Sequence, residues 1–176
     1  PLYYTASSGS SEQRGIARLA HGCSSLPGIG ANKSSEWQRD AHNPVIANGK
    51  QFDTHQAADP KVYFDADLEW SVDSDGTSTT AQKGAWVLFY FGTGPDYRGA
   101  SIDVAFSADG TQWTKASTPL YLAGGHPQGL DSQHAHKNWV FGGPDGVLYM
   151  FYTAAGSSGR GIALLTSKPI PGSPSP

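Results

Sequence analysis

The sequence predicts an all-β fold, a β-propeller assembled from four-stranded blades, and three observations predict it. Aromatic side chains are abundant and charges few: five Trp, eight Tyr and seven Phe stand against 15% Asp, Glu, Lys and Arg in 176 residues, a balance that suits strands. Gly and Pro, at 22 and 12 copies, supply many short turns. Most telling is an internal repeat, the signature of architectures that stack one supersecondary unit on the next.

The repeat sets out the elements in order. Leu2-Tyr3-Tyr4-Thr5-Ala6 followed by Arg14-Gly15-Ile16-Ala17 recurs as Met150-Phe151-Tyr152-Thr153-Ala154 followed by Arg160-Gly161-Ile162-Ala163. A weaker copy lies between them, residues 88–92 followed by 101–107. Each reads as a hairpin: a β-branched or aromatic strand, a Gly/Ser-rich loop and a second strand. Residues 37–46 resemble 113–121, and the Pro in each suits an edge strand, the outer strand of a unit. Residues 58–64 align without gaps on 135–141, which sets Asp59 on His136 and Gln56 on Gln133. Both segments are aromatic and branched, as the most buried strand of a sheet would be.

The unit is therefore an inner strand, a hairpin pair and an outer strand, with about 75 residues between Trp37 and Trp113, against ~40 to 50 for an ordinary propeller blade. The polar segment 71–83 is expected to absorb the excess as a loop. Residues 1–167 hold about two and a half blades, whereas propellers close with roughly four to eight. Further blades from a longer chain or an oligomer are expected. Residues 168–176, rich in Pro and Ser, read as a terminus or linker.

A net charge of -3 without like-charge runs gives no reason to expect nucleic acid or a membrane surface as partner. No segment approaches the ~20 apolar residues of a membrane-spanning helix. The lone Cys23 cannot form an internal disulfide. Neither phosphate-cradling glycine loops nor a Gly-x-Ser-x-Gly elbow is present.

Titratable residues concentrate in 129–141, Gly-Leu-Asp-Ser-Gln-His-Ala-His-Lys-Asn-Trp-Val-Phe. His134 and His136, alternate residues on a strand, share one face. Asp59 before Pro60 has a structural alternative, an Asx-type turn or strand-start cap. The two histidines can equally be core residues, and His-x-His can ligate a transition metal only with a third ligand that no spacing dictates. Arg14 and Arg160 recur at one hairpin position and read as structural. Trp139 is expected to pack between blades, and Trp70 and Trp86 are open as sugar platforms or core. No cofactor is dictated.

Ala58-Asp59-Pro60-Lys61-Val62, residues 102–113 and Tyr149-Met150-Phe151-Tyr152-Thr153-Ala154 resemble the five-bladed propeller glycoside hydrolases, the family 43 enzymes with their relatives in families 32, 117 and 130. The Gly-Gly-His-Pro, Gly-Leu-Asp and Ala-His-Lys run of 124–137 resembles family-43-like bacterial proteins more particularly. The resemblance implies a carbohydrate substrate and catalytic groups at inner-strand starts around a central channel. It implies Asp59 as base or accessory carboxylate and His136 as acid or sugar ligand, a histidine standing where most family 43 members carry a Glu. A carboxylate near His136 would raise its pKa and keep it protonated. Asp53, Asp131, His134 and Lys137 follow as substrate-binding candidates. A calcium ion in the channel, as in some family 43 propellers, is a further expectation. No Glu stands at an inner-strand start, since Glu12, Glu36 and Glu69 fall in or beside loops. Two other readings stay open: a carbohydrate-binding propeller without catalysis, and phosphorolysis, which would need Arg, Lys and His clustered at the channel mouth.

Overall fold

All regular structure among the described residues is β. The computed structural model describes residues 2–7, 14–21, 37–49, 52–73, 79–94, 100–125, 129–144 and 147–167. Cys23, Glu12, Glu36 and the 168–176 terminus lie outside them.

Eleven strands form three sheet units. The first comprises β1 (Leu2–Ser7), β2 (Arg14–His21) and β3 (Trp37–Arg39); the second β4 (Gln56–Asp73), β5 (Thr79–Thr93), β6 (Ser101–Ser107), β7 (Thr114–Lys115) and β8 (Tyr121–Leu122); the third β9 (His134–Gly142), β10 (Leu148–Gly156) and β11 (Gly159–Thr166). All three expected hairpins form, with equivalent registers: Thr5 faces Ile16, Phe91 faces Ile102 and Thr153 faces Ile162. Inner strands β4 and β9 pair with β5 and β10, and the short β3, β7 and β8 edge their units. One parallel bridge, Arg14 to Gln56, joins the first two units in a single hydrogen-bonded sheet. The third is a separate three-stranded sheet.

The segment 71–83 is not the loop expected. Ser71 pairs with Ala81 and Asp73 with Thr79, so strand runs on either side of 74–78. The paired Thr79 and Thr80 are β-branched and favour strand over turn.

Successive units pack through the same faces. Ile16 and Ile46 of the first meet Ala57, Leu88 and Tyr90 of the second. Val87, Phe89 and Ile102, on the opposite side of the second sheet, meet Ala135, Met150, Tyr152 and Ala154 of the third. Alternation along β5 sends neighbouring residues to opposite sheet faces, which lets one strand serve two cores. Leu88 is fully buried, and truncation to Ala there would cost about 2–5 kcal/mol.

Repetition also shows where packing stops. Phe89 and Ile102 are 6% and 0% exposed, whereas their counterparts in the third unit, Phe151 and Ile162, are 40% and 69% exposed. With Trp139, Phe141 and Leu164 they form an apolar sheet face that no described residue covers.

Candidate functional site

Each inner strand carries a β-bulge near its start. In β4, Ala58 pairs with Phe91 and Lys61 with Phe89, so Asp59 and Pro60 together oppose Tyr90. In β9, His136 pairs with Thr153 and Trp139 with Phe151, so Lys137 and Asn138 oppose Tyr152. Asp59 and Lys137 are the non-glycine residues with positive φ, at 54° and 53°.

These registers correct the gapless alignment by one residue. Asp59 is equivalent to Lys137, Ala58 to His136 and Gln56 to His134. The backbone agrees, since His55 N–H donates to Thr93 O at 2.9 Å and Gln133 N–H to Ala155 O at 3.0 Å. A one-residue slide superimposes Asp59 on His136 only because aromatic and branched residues crowd both strands, so the pattern matches in either register.

The buried aspartates fix the same correspondence. Tyr90 Oη donates to Asp53 Oδ2 at 3.1 Å, and Tyr152 Oη to Asp131 Oδ2 at 2.8 Å. Asp53 also accepts from Gly49 N–H and pairs with Lys115. Asp131 also accepts from Tyr121 Oη at 2.6 Å and from Gly124 N–H at 3.2 Å. Both aspartates are buried. They tie each inner-strand start to a hairpin tyrosine and an outer segment, behind the bulge. Burial and Asp131 push the Tyr121 phenol up to about 12, so it stays a hydrogen-bond donor.

Asp59, His134, His136 and Lys137 line one cavity of about 280 Å³ between the units. Arg14 and Arg160 join them there, beside Gln56 and Phe91. The recurrence of both arginines at one hairpin position was the signal for them in the sequence, read there as structural. Asp59 and Lys137 also border a second cavity of about 430 Å³ with Tyr3, Asn138 and Trp139. Trp139 is not packed between sheets. It is 59% exposed, with Lys61 Nζ 5.0 Å from its ring centroid. Trp70 instead stacks on Phe106, and Trp86 meets Phe64 edge to face.

The His134 and His136 rings lie 6.1 Å apart, and Phe91 lies 5.7 Å from His136. The pKa of His136 is lowered, first by burial and then by Lys137, with Asp59 acting against both. The rise expected from a neighbouring carboxylate is therefore reversed, and His136 is a neutral imidazole at neutral pH. Its ring can accept from or donate to a hydroxyl. No cluster of three or more His, Cys, Asp or Glu suited to a metal occurs among the described residues.

No protein-family model matches the chain, and no curated protein does. Among solved structures it is similar to a "Glycoside hydrolase" and to a complex of BT0996 with RGII, each at 25% identity and a TM-score of 0.54. The match covers 96% of this chain and 41% of each of those, so the chain spans about two fifths of their length. The fold is glycoside-hydrolase-like.

Proposed function

We propose that the chain forms part of a carbohydrate-active β-propeller of the glycoside hydrolase type and cleaves a glycosidic bond at the cavity between its second and third units. The observation that carries this is the convergence of Asp59, His134, His136 and Lys137 on that one cavity, within a glycoside-hydrolase-like fold. Residues 1–167 are the partial propeller, and 168–176 its terminus. The uncovered face of the third unit supports further blades, from a longer chain or a second one, because its residues repeat positions that are buried one unit earlier.

Asp59 is the carboxylate that activates water or orients the sugar. No hydrogen bond or ion pair engages its carboxylate among the described residues; its backbone N–H is held by Thr5 Oγ1 at 2.9 Å. A neutral His136 holds a sugar hydroxyl rather than protonating a leaving group. His134 and Lys137 bind substrate oxygens, while Asp53 and Asp131 act from behind by fixing the inner strands. The proton donor and any further carboxylate come from another blade. Assay of Asp59→Asn and His136→Ala against a glycoside panel tests the roles. Loss of turnover in the first with weakened binding in the second is expected; unchanged turnover in both sinks the assignment.

A second reading, sugar binding without cleavage, is favoured by one observation. Asp59 is the one carboxylate lining the cavity among the described residues, where glycoside hydrolysis ordinarily uses two. Calorimetric titration with product detection separates the readings.

A further inference from the structure

We propose that this cavity contains an oxyanion subsite, built by Arg14, Gln56, Lys137 and Arg160, that receives the carboxylate of an acidic sugar or a phosphate group. With an acidic sugar as ligand it rests on the carbohydrate reading above.

The subsite draws on all three units. Gly15, Ser101 and Gly161 take equivalent places opposite Ala6, Gly92 and Ala154. The residues just before them are Arg14, Ala100 and Arg160. The outer two units thus each send a guanidinium towards the cavity, and the middle unit, which forms part of its wall, carries a fully buried alanine. The bridge between Arg14 and Gln56 sets that arginine beside the start of β4.

Charge in the cavity runs against the charge of the protein. The whole chain carries -3, yet three permanent cations line this cavity against the single carboxylate of Asp59. None of the three cations has a hydrogen-bond or ion-pair partner among the described residues. Other cations do find carboxylates: Arg18 pairs with Asp40 and Lys115 with Asp53. Clefts lined by one sign of charge concentrate ligands of the other.

Gln56 points independently to an acceptor. Its side chain is buried at 2% exposure, lines the same cavity, and its Nε2 has no partner. A buried amide donor without an acceptor is costly and rare. A ligand oxyanion would satisfy it while accepting from the guanidinium groups, whose planar forks suit carboxylate and phosphate alike.

The test titrates the protein calorimetrically at low ionic strength with D-glucuronate, D-galacturonate, the methyl ester of each, and inorganic phosphate. At least one anion is expected to bind about tenfold tighter than the esters, and Arg14→Gln with Arg160→Gln to remove that preference. Arg160→Lys should restore part of it. Uronate binding identifies an acidic sugar, and phosphate binding alone identifies phosphate, the chemistry of phosphorolysis. Both arginines are exposed, and circular dichroism checks that the variants fold. Esters binding as well as acids, or an unchanged double variant, overturns the subsite and leaves the carbohydrate site standing. If no sugar and no anion binds, both readings fail.

Discussion

Asp59 and Lys137 hold the same position in successive sheet units, each in the left-handed backbone region inside a bulge opposite a buried tyrosine. A carboxylate and an ammonium thus face one cavity from matched points of adjacent inner strands. Such a backbone conformation costs a non-glycine residue on the order of 1–3 kcal/mol and concentrates at functional sites.

That cost makes the pair separable from fold stability. Lys137→Gly should stabilise the protein by on the order of 1 kcal/mol, after glycine's own entropic cost is deducted. Asp59→Gly should gain less, because Asp tolerates the left-handed region better than Lys. Both should lose ligand binding. Urea denaturation beside sugar titration checks the ordering; a destabilised Lys137→Gly would show that its side chain has a structural duty.

The two buried aspartates predict the opposite pattern. Tyr152→Phe removes one donor from Asp131 but leaves Tyr121, and a loss of about 1–3 kcal/mol is expected. Lys115→Met removes the cation beside buried Asp53 and should cost more, about 3–5 kcal/mol. Equilibrium unfolding of the two variants ranks them, and equal losses would mean that Lys115 contributes little charge compensation.

Strand content, hairpin pairing and the order of units were legible in the sequence, because alternation and repeat length record them directly. Register was not. The bulges add one residue to each inner strand opposite a tyrosine, and a gapless comparison of 58–64 with 135–141 cannot see that both carry it at the same place. Asp53 and Asp131, six residues before Asp59 and Lys137, would have fixed the register had their buried tyrosine partners been recognised. Trp139 was misplaced for a related reason: its aromatic strand reads as core, but the sheet face it lies on is uncovered. Arg14 and Arg160 were visible as a repeat, while their shared cavity depends on how three units curve together.

Asp103 should impose a pH dependence on stability. Burial is the chief cause that pushes its carboxyl up to about 7; the Ser101 hydroxyl opposes this, and Asp53 adds to it. The sign follows from an unfolded pKa near 3.8. Below that value both states hold the proton and stability is full. As pH rises to about 7 the unfolded chain releases the proton first, and stability falls by on the order of a few kcal/mol. Asp103→Asn should therefore gain on wild type between pH 4 and 7 and hold a constant advantage above. A difference that does not change with pH would mean that Asp103 ionises freely in the folded protein.

His136 gives the sharpest test of the site's electrostatics, because three named groups act on it. Burial lowers its pKa, Lys137 lowers it further, and Asp59 raises it. In a titration followed by NMR, His136 of the wild type should therefore ionise below 6.5. Lys137→Gln should move the midpoint up, and Asp59→Asn should move it down. For stability the sign is that of a depressed group: the contribution is complete above pH 6.5 and is lost as pH falls through the lowered value. The same window governs ligand binding if the neutral ring accepts a sugar hydroxyl. Affinity should hold between pH 7 and 8 and decline in acid, and in Asp59→Asn the decline should start at lower pH. A midpoint that rises in Asp59→Asn would show that the carboxylate does not act on the imidazole, and would separate the two residues assigned to one site.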